Sequence, residues 1–137
     1  MNQKENIKQK RSGNAKCART EKNVGMDRTK NHEKLLKECL LLLSQNGFLA
    51  WKNSTGSIPI QNRYITFGCK GSPDILSIHH TTGVFYGFEI KSGKAVQNKH
   101  QKAFEKAVKA RNGIYMVVRD IEGLKEFLSG YNKKANT

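Results

Sequence analysis

The feature that most constrains this chain is a pair of apolar segments separated by a short polar turn. Ile75-Leu76-Ser77-Ile78 runs into His79-His80-Thr81-Thr82-Gly83, and the chain returns as Val84-Phe85-Tyr86-Gly87-Phe88-Glu89-Ile90-Lys91. So short a connection predicts an antiparallel hairpin, with strand 74–79 against strand 84–91. Its register then sets Asp74 across from Glu89, with Cβ atoms roughly 5 Å apart. Within the second strand Glu89 and Lys91 share a face, because strand side chains alternate. Two facing carboxylates repel, and each raises the other's pKa unless a cation joins them. Mg²⁺ prefers such hard oxygens and keeps several waters. The plainer alternative is a hairpin with an ion pair at its end, worth ~1 kcal/mol or less.

Around this hairpin the remaining elements alternate. Residues 31–47, NHEKLLKECLLLLSQNG, predict a helix with Asn31 as N-cap and Gly47 just past its end. Its apolar face holds Leu35, Leu36, Cys39, Leu40, Leu42 and Leu43, and Glu33 and Glu38 lie past the two borders of that face. Residues 48–52 and 63–67 read as short strands with a polar loop, 53–57, after the first. A second helix over 97–111 has Phe104, Ala107, Val108 and Ala103 as its core face, Gln101 at the border, and a stripe of Lys99, Lys102, Lys106 and Lys109 opposite. A buried strand at 114–119 and a helix at 121–129, capped by Asp120, complete the pattern. The fold class expected is α/β, a mixed four-stranded sheet flanked by helices in the order α-β-β-β-α-β.

Charge narrows the partners. The 137-residue chain has 25 Lys and Arg against 11 Asp and Glu, a formal +14, which points to a polyanion, nucleic acid before membrane. Residues 1–30 are expected to be a flexible basic arm, having almost no large apolar side chains to bury. Residues 31–130 form the expected domain, and 131–137 a tail. The longest apolar run, Cys39-Leu40-Leu41-Leu42-Leu43, is far short of the ~20 residues of a membrane span. Three cysteines without paired spacing fit free thiols in a reducing compartment, so a cytoplasmic protein is expected, bacterial or in a phage-infected host. His79-His80 with Cys69 matches no structural zinc spacing. Trp51 and Tyr64 could stack on bases, but core positions are the simpler expectation.

Gly71-Ser72-Pro73-Asp74, then Phe88-Glu89-Ile90-Lys91, then Gln101 in a helix resembles the PD-(D/E)XK nuclease superfamily. More closely the chain is similar to the virus-type replication-repair nuclease (VRR-NUC) family. That resemblance takes in Glu33, Asn53 to Gly56, Arg63, Phe67-Gly68, Gly93-Lys94 and Arg111-Asn112-Gly113. Ser72 departs from it, standing where a branched apolar residue is common.

The resemblance implies that Asp74, Glu89 and the Ile90 carbonyl hold Mg²⁺, with Mn²⁺ able to substitute. It implies that Glu33 supports the site from the first helix, that Lys91 handles the attacking water, and that Gln101 bonds near the scissile phosphate. Asn53, Arg63, Lys70, Lys94 and Lys99 are candidate nucleic-acid contacts. The expected activity is metal-dependent endonucleolytic cleavage of branched, Holliday-junction-like DNA in phage or bacterial replication and repair, leaving a 5′-phosphate. Members that stand alone are often homodimers. A non-catalytic nucleic-acid-binding module of the same fold is the alternative.

Overall fold

A computed structural model describes the backbone of residues 14–135 and the side chains of residues 27–132. The chain divides into two units, Met1–Asn31 and His32–Thr137. In the first, the described backbone is helical from Asn14 and belongs to α1 (Asn14–Gln45). The helix therefore starts well before Asn31, which lies inside it and caps nothing. Residues 14–30 lack proline and hold three Lys, two Arg and two Ala. Such residues extend an existing helix cheaply even with no apolar face to bury. The rest of the expected basic arm, residues 1–13, lies outside the described residues.

The second unit is built on a mixed four-stranded sheet. Its strands are β1 (Phe48–Lys52), β4 (Ile75–His79), β5 (Phe85–Ile90) and β6 (Ile114–Val118), in that spatial order. β4 runs antiparallel to both β1 and β5, and β6 lies parallel to β5 after a crossover through α2 (Lys99–Lys109). The hairpin register is the expected one, with Ile78 opposite Phe85 and Ile75 opposite Phe88. α3 (Ile121–Ala135) closes the unit and runs six residues beyond the expected end at 129. Its start is as read, with Asp120 Oδ1 accepting from the Gly123 N–H at 2.7 Å.

Alternation along β5 sorts the two faces of the sheet. Tyr86, Phe88 and Ile90 enter a core with Leu36, Cys39 and Leu43 of α1 and Leu124 and Leu128 of α3. Phe48 and the buried His79 join Tyr86 and Tyr131 in an aromatic cluster there. Burial lowers the His79 pKa and keeps its imidazole a packing group. The other face carries Gly87 and Glu89, and among the described residues α2 is the one helix that packs on it, with Pro73 of the loop before β4 over Gly87. Of the expected core face of α2 only Val108 is buried; Phe104 is half-covered, and Ala103 and Ala107 are exposed. A single short helix cannot span the sheet, so Leu49 (68 % exposed), Trp51 and Ile78 stay open on β1 and β4.

The segment read as a loop at 53–57 contributes instead to a strand. β2 (Gly56–Ile60) pairs with β3 (Arg63–Phe67) in a separate two-stranded sheet. All of its strand residues are exposed, including Ile58, Ile60, Ile65 and Phe67 on one face and Tyr64 on the other. Tyr64 and Trp51 are thus not core residues. Ile65→Thr should accordingly shift stability by no more than ~0.5 kcal/mol, measurable by urea denaturation, because nothing buried is lost.

Among the described residues no helix is long and apolar enough to cross a membrane, and Cys39 and Cys69 are both free thiols. Burial pushes the Cys39 thiol up to about 11, whereas Cys69 is exposed. At pH 8 Cys69 should react with iodoacetamide within minutes and Cys39 only on unfolding. Peptide mapping of the labelled protein checks this.

Candidate active site

Asp74 stands one residue before β4, so the pairing of Ile75 with Phe88 carries it level with Glu89 on the α2 face. The Lys91 N–H bonds to the Val118 carbonyl at 2.9 Å, which turns the N–H and C=O of Ile90 to the opposite edge. There β4 has not yet begun, and Asp74 Oδ2 accepts from the Ile90 N–H at 2.8 Å. The Ile90 carbonyl leaves the strand on that same edge, beside Asp74.

The loop entering β4 is held by contacts that sequence reading did not foresee. The Asn53 side-chain amide donates to Ser72 Oγ at 2.6 Å and to the Pro73 carbonyl at 2.9 Å, while the Asn53 N–H bonds the Asp74 carbonyl at 2.8 Å. Ser72 Oγ in turn donates to the Cys69 carbonyl at 2.7 Å. Serine at this position is explained by those two bonds, which a branched apolar side chain could not make. Asn53, expected to contact phosphate, spends its amide on the loop. Pro73 packs against Gly87, where an added Cβ would stand 2.8 Å from the proline ring.

Glu89 is the centre of the arrangement. It is 3 % exposed, yet carries an ionisable group between two others. Lys91 Nζ lies 2.9 Å from Glu89 Oε1, and Gln101 Nε2 donates to the same oxygen at 2.5 Å. The Gln101 amide is itself fixed, because its Oε1 accepts from the Asn98 N–H at 2.9 Å in a capping box at the start of α2. Gln101 N–H and His100 N–H return bonds to Asn98 Oδ1. Gly71, with φ of +85°, lets the loop before Asp74 press on the backbone of His100 and Gln101. An L-residue there would be strained, and its Cβ would stand 3.0 Å from Gln101 N and closer still to the His100 carbonyl.

Burial raises the Glu89 pKa above the ordinary carboxylate range; the Lys91 ammonium opposes this and the neighbouring Asp74 charge adds to it. The two acids therefore sense each other electrostatically, as their register requires.

The structure thus brings Asp74, Glu89, Ile90, Lys91 and Gln101 together. Glu33 is placed otherwise. Its carboxylate pairs with Lys52 Nζ at 3.0 Å, which lowers its pKa, and it makes no bond to Asp74 or Glu89. The α1 side chain that reaches the acids is His32, with Nε2 3.6 Å from Asp74 Oδ2. Sequence reading missed it, although the spacing His32, Leu36, Cys39, Leu43 continues the buried stripe of the helix by one turn. Arg63, Lys70, Lys94 and Lys99 are all exposed, and none takes part in an ion pair among the described residues.

Among the described residues no three His, Cys, Asp or Glu side chains already converge as a ligand shell. The donor set nonetheless fits a hard divalent cation. The bonds at Asp74 fall on Oδ2 and those at Glu89 on Oε1, so each carboxylate has a second oxygen that takes none of them. A backbone carbonyl lies beside them, and a cation would relieve the buried charge on Glu89.

Compared with known protein families and with curated proteins, the sequence matches no family model and no individual protein. The functional reading therefore rests on the site.

Proposed function

We propose that this protein is a metal-dependent DNA endonuclease of the PD-(D/E)XK kind, similar to the VRR-NUC family and acting on branched or structured DNA. The observation that carries this reading is the buried Glu89, held by Lys91 and Gln101 and set level with Asp74. A sheet gains nothing in stability from such a cluster, since apolar residues of similar volume would pack there at least as well. The cluster is better explained as chemistry.

Asp74, Glu89 and the Ile90 carbonyl would hold Mg²⁺ or Mn²⁺. The ion supplies Lewis acidity, lowering the pKa of water and offsetting charge that develops on the phosphate. Lys91 brings a cation to within hydrogen-bond reach of Glu89, from where it can orient the attacking water and neutralise a phosphate oxygen. Gln101 keeps Glu89 in one rotamer and leaves its second oxygen to the ion. The exposed Arg63, Lys70, Lys94 and Lys99 supply phosphate contacts, which fix register without reading sequence.

The experiment is cleavage of labelled four-way junction, flap and duplex DNA in Mg²⁺, Mn²⁺ and EDTA, with Asp74→Asn alongside. Asn keeps an acceptor for the Ile90 N–H and removes the charge. Metal-dependent cutting that disappears in the variant supports the reading, and the preferred substrate identifies the task. Binding in every lane with cutting in none overturns it in favour of a non-catalytic nucleic-acid-binding module.

A further inference from the structure

The stripe that α1 turns to the sheet is apolar at Leu36, Cys39 and Leu43, and one turn earlier it ends in an imidazole. Spacings of four, three and four residues put His32 on the same face as the other three. The helix is thus anchored in the core just beyond His32, and that anchoring delivers the ring to the start of β4.

The distance found there is informative. His32 Nε2 and Asp74 Oδ2 are 3.6 Å apart, beyond a hydrogen bond. Two donor atoms on one small cation, each about 2.1 Å from it, stand about 3 Å apart. The ring nitrogen and the carboxylate oxygen are thus not bonded to each other, and a shift of about 0.6 Å would bring them to that spacing. Both side chains keep access to solvent, at 31 % and 29 % exposure, so an ion can enter between them, and Asp74 Oδ2, which accepts from the Ile90 N–H, keeps a second lone pair for it. Glu33, the acid one position along, is turned away to Lys52 and offers no competing oxygen.

We infer that His32 is a nitrogen ligand of the cation held by Asp74 and Glu89, and that it biases the site towards Mn²⁺ and other transition ions over Mg²⁺. Imidazole suits transition ions, whereas Mg²⁺ takes oxygen almost alone. The inference rests on the metal-dependent reading of this site, and its test does not use cleavage.

The test is Mn²⁺ binding to the full chain without DNA, followed by the electron paramagnetic resonance signal of free Mn²⁺, for the native protein, His32→Ala and Glu89→Gln. Mg²⁺ competition is measured in parallel, and pulsed spectra of the bound Mn²⁺ are examined for coupling to a ligand nitrogen. The expected result is a nitrogen coupling in the native protein that His32→Ala abolishes. Mn²⁺ affinity should fall by about tenfold or more in that variant, with Mg²⁺ affinity changing far less.

If Glu89→Gln weakens Mn²⁺ binding while His32→Ala leaves affinity unchanged, the inference is overturned and the cation site stands. It is also overturned if His32→Ala weakens binding but the native protein shows no nitrogen coupling, since His32 then only positions Asp74. A native protein that binds no Mn²⁺ at millimolar concentration overturns both the inference and the metal-dependent reading.

Discussion

Lys91→Met should lower metal-dependent cleavage by roughly 10³-fold while leaving the protein folded. Two effects act together. The ammonium that would meet the water and the phosphate is gone, and Glu89 loses the main influence holding its pKa down. With burial and the Asp74 charge then opposed only by His32, Glu89 keeps its proton to higher pH and holds a cation less well. Methionine retains the length of the side chain and fills the space beside Glu89. Single-turnover cleavage across pH 6–9 checks this: the residual activity of the variant should rise with pH as Glu89 is forced to ionise. A variant with native rates would remove Lys91 from the mechanism.

The same carboxyl sets a pH dependence of stability. Its folded pKa is raised, so the folded chain binds this proton more tightly than the unfolded chain does. The stability it contributes is complete below the unfolded value, about 4.5, and is lost as pH rises through the folded value. Metal-free protein should therefore lose stability through this group as pH climbs from 4.5 towards neutrality. Glu89→Gln should flatten that part of the curve, read from thermal midpoints in EDTA. Adding a divalent ion at neutral pH should restore stability to the native protein and not to the variant.

Gly71→Ala is expected to be the most damaging change that removes no functional group. The left-handed backbone alone costs an alanine ~1–2 kcal/mol. The added Cβ would also press on the His100 carbonyl and the Gln101 nitrogen, which are backbone and cannot swing aside. The first turn of α2 must then move, taking the Gln101 amide from Glu89. Displacements of about 1 Å at a catalytic group cost on the order of 10² in rate. Gly83→Ala is the control, because φ there is +67° but nothing lies within 4 Å of the added Cβ. It should show the backbone cost in its thermal midpoint and cleave DNA at the native rate. Equal cleavage by the two variants would mean that the Gly71 contact does not position the site.

What could be read in advance followed from short-range geometry. A tight turn between two apolar strands fixes its own register, so the level placement of Asp74 and Glu89 was legible from residues 74–91. The α1 stripe and the cap at Asp120 were legible for the same reason, being periodic or local. The β2–β3 hairpin was not, because Gly56-Ser57-Ile58-Pro59-Ile60 mixes turn residues with apolar ones and has no buried face to impose a period. The start of α1 was missed because helix propensity without amphipathicity leaves no pattern. At the site, Glu33 was singled out for its carboxylate, whereas the structure pairs that carboxylate with Lys52 and brings the neighbouring His32 beside Asp74. The angular position of His32, in line with Leu36, was the signal that could have found it. The Ser72–Asn53 bonds join residues 19 apart and could be seen only once folded.

The double attachment of Gln101 ties a helix end to a charge. One amide group closes the capping box of α2 through its oxygen and braces Glu89 through its nitrogen. Whatever changes the demand on Glu89, whether a proton, an ion or a phosphate nearby, must change the hold on the first turn of α2 as well. The protected N–H groups of His100 and Gln101 thereby become reporters: their hydrogen-exchange rates should follow the electrical state of the carboxylate, with no label placed in the site itself.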